Sequence, residues 1–567
     1  PSIVPARSIP PPPSTAYFSM EIAVADEVPT YSGGLGVLAG DHLRAAADLE
    51  LPLVAVTLCY RNGYFAQALD TEGRQREAPV TWSREAVLQP VDARTTVRIC
   101  GRSVRVAAWR FDVVGRTGHV VPVFLLDTDV DGNDEHDRAI TDQLYAGDGH
   151  HRLRQEAVLG LGGVGLLEVL GWGDIATLHM NEGHSALLAL ALARPAGHGT
   201  APVDATLARS RCVFTTHTPV PAGHDRFGER TVREVLGDER AADLAALGGM
   251  TGGELNMTRL GMACAHYVNA VSLRHGDVCR EMFPDVPVDV ITNGVHAATW
   301  VGPHMAELLD RRVPGWDRDN AALRYCGGIA LEEIEVAHSA AKRDLVRLVA
   351  GRTGVALDPA VLTLCAARRA AAYKRIDLIL RDPDRLAAVV ERTGPLQIVY
   401  SGKAHPQDED GKAVIERVFA AARGLGDRVH IAYVPDYSMA DAAVLCAGAD
   451  VWVNTPERPL EASGTSGIKA ALNGVPSLSV LDGWWLEGHV EGVTGWSVGG
   501  LGEERDDGAD ADDLYTTLEL DIAPRYYGNR GLAEVRRGAL ALNGSWFTTE
   551  RMVRQYAAAA YGVAGTA

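Results

Sequence analysis

Two short runs carry most of the reactive side chains of this 567-residue chain: Glu461–Gly474, EASGTSGIKAALNG, and residues 368–375, RRAAAYKR. In the first, Ser463, Gly464, Thr465, Ser466 and Gly467 make a small-residue loop that opens onto the apolar spacing Ile468, Ala471, Leu472, so a loop leading into a helix is expected. Backbone N–H groups at such a start point at an anion. Lys469 then falls near the positive end of the helix, where an uncharged amine is easier to keep than in water. Such an amine can form a Schiff base with an aldehyde cofactor while the loop holds the cofactor's phosphate. A solvated surface lysine gives the same local pattern, and small-residue loops precede helices in every α/β protein. In the second run, Arg368, Arg369, Lys374 and Arg375 place four cations in eight residues at the end of an expected strand, which is a candidate anion site. A solvated helix face is the competing reading. The turn Gly33-Gly34-Leu35-Gly36, entering the helix HLRAAADL, is either a phosphate cradle or a tight structural turn.

The elements that must position these groups alternate between strand and helix. Strands are expected over Thr15–Met20, Leu51–Tyr60, several β-rich stretches within residues 86–127, Asp174–Met180, Cys212–Thr216 and Pro287–Thr292. A second series covers residues 361–367, Leu396–Ser401, Val429–Tyr433, Ala449–Asn454 and 476–485. Ligands of open α/β sheets lie outside the carboxyl ends of the strands. Asn181, Glu182 and His184 follow one such end and suit sugar hydroxyls, although N-capping explains Asn181 equally well. His217 and His224 do not match a zinc spacing, so no metal is expected. His266, on an apolar segment, reads as a core histidine. Asn293 follows the strand over 287–292, with Trp300 soon after.

Residues 302–358 read as a charged helical connection, and residues 528–561 as closing helices. The chain therefore divides into a first α/β domain over 1–300, a second over 301–530 and terminal helices over 531–567, with a cleft between two Rossmann-like halves. The glycine turn and the cationic run line that cleft from opposite sides.

A net charge of −19 argues against nucleic acid or an anionic membrane as partner and is compatible with a neutral polyol such as a carbohydrate. The eight cysteines are scattered with no CxxC pair, so they read as reduced core residues of a cytoplasmic protein. The opening PSIVPARSIPPPPST lacks a charged region followed by an apolar core, so it reads as an extended lead-in and not a signal peptide. No apolar run approaches membrane-spanning length.

The ordered series YFSMEI, YSGGLGVLAGDHL, HMNEGHSA, TTHTPVPAGHDRF, NMTRLGMACAHYVN, TNGVHAATW, RRAAAYKR, YSGKAHP, PDYSMA, EASGTSGIKAALNG and LDGWWLEG resembles the α-glucan phosphorylases, which include the glycogen, starch and maltodextrin phosphorylases. The likeness runs from Tyr17 nearly to Gly500 and is stronger to the bacterial and archaeal branch. The resemblance implies a GT-B fold, pyridoxal 5′-phosphate in a Schiff base on Lys469, and retaining phosphorolysis of α-1,4-glucan or maltooligosaccharide. That reaction would release α-D-glucose 1-phosphate from the non-reducing end, with the cofactor phosphate as proton relay.

By the same resemblance, Arg369, Lys374 and the Gly34 backbone bind inorganic phosphate. Arg368, Thr465 and Ser466 hold the cofactor phosphate, Gly34 and Trp300 lie near the cofactor, and Glu461, Ser463 and Gly464 bind glucosyl hydroxyls. Asn293 and His266 meet the 6-hydroxyl, and Asn181, Glu182 and His184 face the acceptor side. The last helix is expected to cross back to the first domain, and a homodimer is implied.

There are departures from the family pattern. The chain reads as shorter than typical members and as lacking the extra N-terminal domain, and residues 1–15 carry none of the animal regulatory apparatus. Ala23 and Ser438 replace an aromatic residue and an arginine of the animal enzymes. The alternative is a GT-B transferase using a nucleotide-activated sugar, for which Lys469 has no use.

Overall fold

Runs of apolar, β-branched residues close into two large sheets. The computed structural model describes residues 13–145, 147–194, 201–502, 505–528 and 531–562. Most of the expected N-terminal lead-in lies outside the described residues.

The first sheet contains β1 (Thr15–Phe18), β2 (Leu53–Leu58), β3 (Gln89–Ile99), β4 (Arg102–Val114), β5 (Val120–Asp127), β6 (Thr177–Asn181), β7 (Cys212–Thr215), β8 (Tyr267–Ala270) and β9 (Asp289–Val290), in the order β9-β8-β7-β6-β1-β2-β5-β4-β3. From β9 to β5 every pair is parallel, while β5–β4 and β4–β3 are antiparallel. That division follows from burial. β2, LVAVTL, is buried at every position, as a strand covered on both faces must be. β3 largely alternates buried and exposed residues because one of its faces meets water.

The second sheet is wholly parallel: β10 (Leu362–Ala367), β11 (Leu396–Ser401), β12 (His430–Val434), β13 (Val451–Asn454), β14 (Ser477–Val480) and β15 (Gly495–Val498), in the order β12-β11-β10-β13-β14-β15. This mixed α/β architecture is the GT-B fold.

Four helices frame the cleft and its supports. Helix α1 (Gly34–Asp48) connects β1 to β2 and lies so close to the preceding chain that a Cβ on Gly40 would sit 2.1 Å from the Ala23 carbonyl oxygen. Helix α2 (Leu331–Thr353) ends on Gly354 in the left-handed region, at φ 75°, where a glycine carries no steric cost. Helix α3 (Thr465–Ala471) carries Lys469. Helix α4 (Thr549–Ala559) packs Met552, Val553, Tyr556 and Ala557 against α1 and the first sheet. Its Tyr556 hydroxyl lies 3.1 Å from Thr215 Oγ1 and accepts from Asn269 Nδ2 at 2.9 Å.

After β5 the chain runs helical over Gly149–Ala157 and Gly163–Val169, with a π-helical turn, Val158–Gly162, between them. Its glycines allow close approach: a Cβ on Gly163 would lie 2.5 Å from the Phe18 ring. Residues 302–358 are more than a connection. Met305, Leu308, Leu309 and Ile334 share a core with Trp300, Ile468, Trp484, Trp485 and Leu540, because the apolar faces of these short helices turn inward on α3.

The main polar lock of the second domain is Asp450. Its Oδ1 accepts from His338 Nε2 at 2.9 Å and Arg536 Nη2 at 2.8 Å, and its Oδ2 accepts from Lys342 Nζ at 2.5 Å and the Thr363 N–H at 2.9 Å. Burial pushes the carboxyl up, but Lys342, His338 and Arg536 outweigh burial and hold it far below the usual range. Its contribution is therefore complete above about pH 4, the unfolded value, and disappears as pH falls below it. Asp450→Asn leaves cations buried without their counter-charge and is expected to lower stability at neutral pH by roughly 3–5 kcal/mol. Urea titrations from pH 7 down to pH 3 check this: the gap to wild type should narrow below about pH 4.

Candidate active site

Lys469 lies one turn inside α3, and its side chain is buried. Its Nζ sits 3.8 Å from the centroid of the Trp300 ring. The indole is fixed in turn, since Nε1 donates to Asp41 Oδ2 at 2.7 Å. Asn473 ties the two elements together: its Nδ2 donates to the carbonyls of Trp300 at 2.8 Å and Lys469 at 3.0 Å, and its Oδ1 accepts from the Gly302 N–H at 2.7 Å. Burial pulls the amine below the ordinary lysine range, with Asp41 opposing and Arg44 assisting. The sequence places that effect at the helix start. The structure assigns it to desolvation within the aromatic core.

Immediately before α3, the loop turns at Gly464, at φ 83°. Glu461 is buried and serves two cations through one oxygen, Oε2, at 3.1 Å from Arg368 Nη2 and 2.5 Å from Lys374 Nζ. Burial raises this carboxyl, but Lys374 and Arg368 hold it below its usual value. Arg368 Nε and Nη1 are buried without a hydrogen-bond partner, as is Ser463 Oγ. Unpartnered guanidinium donors of this kind are suited to an anion.

Arg369 is exposed at the same strand end, with Nη2 3.5 Å from Tyr373 OH. Arg375 turns the other way, onto Asp507, Asp510 and the carbonyls of Thr455 and Pro456, so the four cations of the run divide between two sides of one turn.

The glycine turn divides by role as well. A Cβ on Gly33 or Gly34 would meet nothing within 4 Å, whereas on Gly36 it would fall 2.6 Å from Tyr31 Cβ. Gly33 and Gly34 face open space at the start of α1, and Gly36 is a packing glycine. Glu21 Oε2 accepts from the N–H groups of Ser32 at 2.7 Å and Gly33 at 3.2 Å.

At the carboxyl end of β6, Asn181, Glu182 and His184 are all buried. His184 Nε2 accepts the Met20 N–H at 2.9 Å, and Glu182 Oε2 accepts from the His217 N–H at 2.7 Å and Thr218 Oγ1 at 3.0 Å. Glu182 adopts φ 78°, a left-handed conformation uncommon for a side-chain-bearing residue, which these bonds hold in place. Two of the three fasten loops, and Asn181 orients a histidine. That histidine, His217, was weighed in the sequence only as a metal ligand. It follows β7, and its Nε2 donates to Asn181 Oδ1 at 2.8 Å, while burial lowers its basicity to about 3 and keeps it neutral. The strand-end rule applied at residue 181 would have found it.

Asn293 is buried, and its Oδ1 has no partner. Arg551 of α4 donates to the Asn293 carbonyl at 3.2 Å. His266 is a further correction. It precedes β8, at the amino end of the sheet, is exposed, and directs Nδ1 at the Arg209 carbonyl, 3.2 Å away. A residue entering a parallel strand cannot reach the carboxyl edge. Ser466, half-buried in the first turn of α3, accepts from Trp452 Nε1 through its hydroxyl at 3.1 Å. Thr465 is half-buried at the first position of α3. Among the described residues no cluster suited to a metal ion is found, and no helix is long and apolar enough to cross a membrane.

Residues 220–493 match the family described as carbohydrate phosphorylase. The maltodextrin phosphorylase of Thermococcus litoralis is 39% identical over 95% of this chain and 69% of its own length. The chain belongs to the carbohydrate phosphorylase family. Within it, the glycogen phosphorylase of Mycobacterium tuberculosis is 39% identical over 96% of this chain and 70% of its own length, and that of Aquifex aeolicus 34% over 90% and 80%. Phosphorylases of this family are glycosyltransferase-class enzymes and generally depend on pyridoxal phosphate.

One carboxyl at the site titrates near neutrality. Asp482, buried after β14, accepts from the Glu461 N–H through Oδ2 and from the Gly483 N–H through Oδ1, each at 2.9 Å. Burial pushes it up to about 7 despite those donors. A carboxyl raised in the folded state favours folding below the unfolded value near 4, and that contribution is lost as pH rises through about 7. The difference in melting temperature between wild type and Asp482→Asn is therefore expected to fall from about pH 4 to pH 7 and to be level above it.

Proposed function

We propose that this chain is a retaining α-glucan phosphorylase. It transfers the non-reducing terminal glucosyl unit of an α-1,4-linked glucan to inorganic phosphate and releases α-D-glucose 1-phosphate. The observation that carries this reading is the buried pairing of Arg368 and Lys374 on one oxygen of Glu461, with two Arg368 donors left over, in the same loop system as Lys469. Cations held out of water bind a second anion strongly.

Pyridoxal phosphate fits the residues present. Lys469 is a buried, weakly basic amine on an aromatic wall. The unpartnered Arg368 donors, with the Thr465 side chain and backbone at the start of α3, would hold a phosphate. When bound, the cofactor supplies there a phosphate that can exchange a proton.

The chain's own residues do the rest. Arg369 and Lys374 bind and orient the substrate phosphate on the face the glycan leaves, as retention of configuration requires. The Gly33–Gly34 backbone lets that phosphate approach the start of α1 without a side chain in the way. Glu461, Ser463 and the Asn293 Oδ1 accept from or donate to the sugar hydroxyls. His217, kept neutral and oriented by Asn181, presents a polar ring edge toward the same strand ends. Positive charge from the two cations stabilises the negative charge gathered between phosphates and leaving oxygen. Packing of the two domains excludes water, which would otherwise compete as acceptor.

A nucleotide-sugar transferase on the same fold would leave the environment of Lys469 without a role. Free cysteines, buried except for the half-buried Cys100, support a reducing, cytoplasmic setting.

Two measurements test the reading. Arg369→Ala is expected to raise the KM for phosphate roughly 10- to 100-fold, the range for loss of charge-assisted hydrogen bonds, with the fold intact by circular dichroism; unchanged phosphate dependence refutes the assignment. Borohydride treatment of protein incubated with pyridoxal phosphate should place the label on the Lys469 peptide, and Lys469→Ala should abolish it.

A further inference from the structure

A two-stranded hairpin of the first domain, Ala66–Leu69 paired antiparallel with Gln75–Ala78, reaches across to the second domain and grips a loop there. The grip is made by two glutamines. Gln75 Nε2 donates to the Ala404 carbonyl at 2.9 Å while its Oε1 accepts the Ala404 N–H at 3.0 Å, so one side-chain amide pairs with one residue's backbone as a neighbouring strand would. Gln67 Nε2 donates to the Gly402 carbonyl at 3.0 Å and to Gln75 Oε1 at 2.8 Å. Gln67 and Asp436 exchange a further reciprocal pair: the Gln67 N–H donates to Asp436 Oδ1, and the Asp436 N–H donates to Gln67 Oε1, each at 2.9 Å. Gln67 is buried, and Asp436 sits at φ 56°, a left-handed turn that aims its backbone at the hairpin.

The gripped loop also supports the cationic run. Residues 402–404 follow β11, the neighbour of β10, and Arg368–Ala370 follow β10. The Arg368 N–H donates to the Ser401 carbonyl at 2.9 Å, and the Ala370 N–H donates to the Lys403 carbonyl at 3.0 Å. Gly402 presses on that segment so closely that a Cβ there would fall 1.8 Å from the Arg368 carbonyl oxygen. The hydrogen bonds thus run from the first domain's glutamines, through residues 402–404, to the backbone carrying Arg368 and Arg369.

We propose that Gln67 and Gln75 are positioning residues for the phosphate site, setting the backbone of Arg368–Ala370 from the opposite domain. The phosphate cations are then in register only when the hairpin is seated, which couples anion binding to the approach of the two domains. This rests on the phosphorylase reading above, in which those cations bind substrate phosphate.

The test compares Gln67→Ala and Gln75→Ala with Arg423→Ala. Arg423 holds the turn of the same hairpin, donating to the Thr71 carbonyl at 3.0 Å and pairing with Glu72 at 2.9 Å, bonds that involve none of residues 402–404. Each glutamine variant is expected to raise the KM for inorganic phosphate roughly fivefold or more, the effect of about one lost hydrogen bond, with the KM for maltooligosaccharide within about twofold of wild type. Arg423→Ala should leave both unchanged.

Equal shifts in all three variants, or a change only in melting temperature, would mean that the hairpin tethers domains without positioning the cations, and would overturn the proposal. Wild type that splits maltooligosaccharide with no dependence on phosphate would instead sink the phosphorylase reading itself. Should a glutamine variant fold poorly, Gly402→Ala disturbs the same loop from the second domain and is expected to raise the phosphate KM in the same direction; an unchanged value there also overturns it.

Discussion

Glu461 is the counterion on which the geometry of the cleft depends. Two cations, Arg368 and Lys374, are held out of water by the packing of strand ends and loops, and one carboxylate oxygen answers both. In a low-dielectric setting this leaves an excess of positive potential directed at whatever polar species lies beside it. The oxygen cannot drift, because its loop is fastened from two directions. Asp482 holds the Glu461 backbone from within the second domain, and Ser272 Oγ of the first domain donates to the Ala462 carbonyl at 2.7 Å. The charges all belong to the second domain, and a hydroxyl of the first helps to hold their loop in place.

The same dependence appears in the frame. Asp450 joins α2, β10 and the segment of Arg536, so the second sheet is locked to the helices that lead back toward the first domain. Arg551 of α4 then donates to the carbonyls of Thr292 and Asn293, and Glu487 of the second domain accepts from Thr292 Oγ1 at 2.7 Å. Residues at the end of β9 are thus gripped by the last helix and by the opposite domain together. Buried ion pairs give little net stability, but they fix one arrangement, and in this fold that arrangement sets where the two carboxyl edges meet.

Much of this could be read from the chain. β2 and β10 announce themselves as unbroken apolar runs, and Arg368, Arg369, Lys374 and Asn293 follow the strands they were expected to follow. What failed has a physical pattern. His266 read as a core histidine from its apolar segment and met the 6-hydroxyl only through the family resemblance. It is instead exposed at the amino end of β8, because periodicity over so short a segment does not fix which side faces the core. Polar residues at a strand end look alike whether they bind a solute or fasten a neighbouring loop, so the loop-fastening bonds of Glu182 and His184 could not be read from the chain. The glutamine hairpin was unreadable, since its short strands have no apolar face and are defined by partners more than 300 residues away.

Lys469 shows how burial can do what a helix end does not. A lysine in the last turn of a short helix would, on dipole grounds, hold its proton more firmly. Here the amine lies against an indole that is itself bonded to Asp41, and desolvation outweighs the attraction of that carboxylate. The Trp300–Asp41 bond thus removes one carboxylate oxygen from competition for the amine, because Oδ2 already accepts from the indole at 2.7 Å and from the His296 N–H at 3.1 Å. With that oxygen occupied, the amine is left against the ring in a dry setting, which is the condition under which lysine becomes a nucleophile toward a carbonyl. The aromatic wall and the orphaned guanidinium donors follow from one design: cations are kept short of partners on both sides of the Glu461–Gly464 loop, so that anions and carbonyls supplied from outside complete the site.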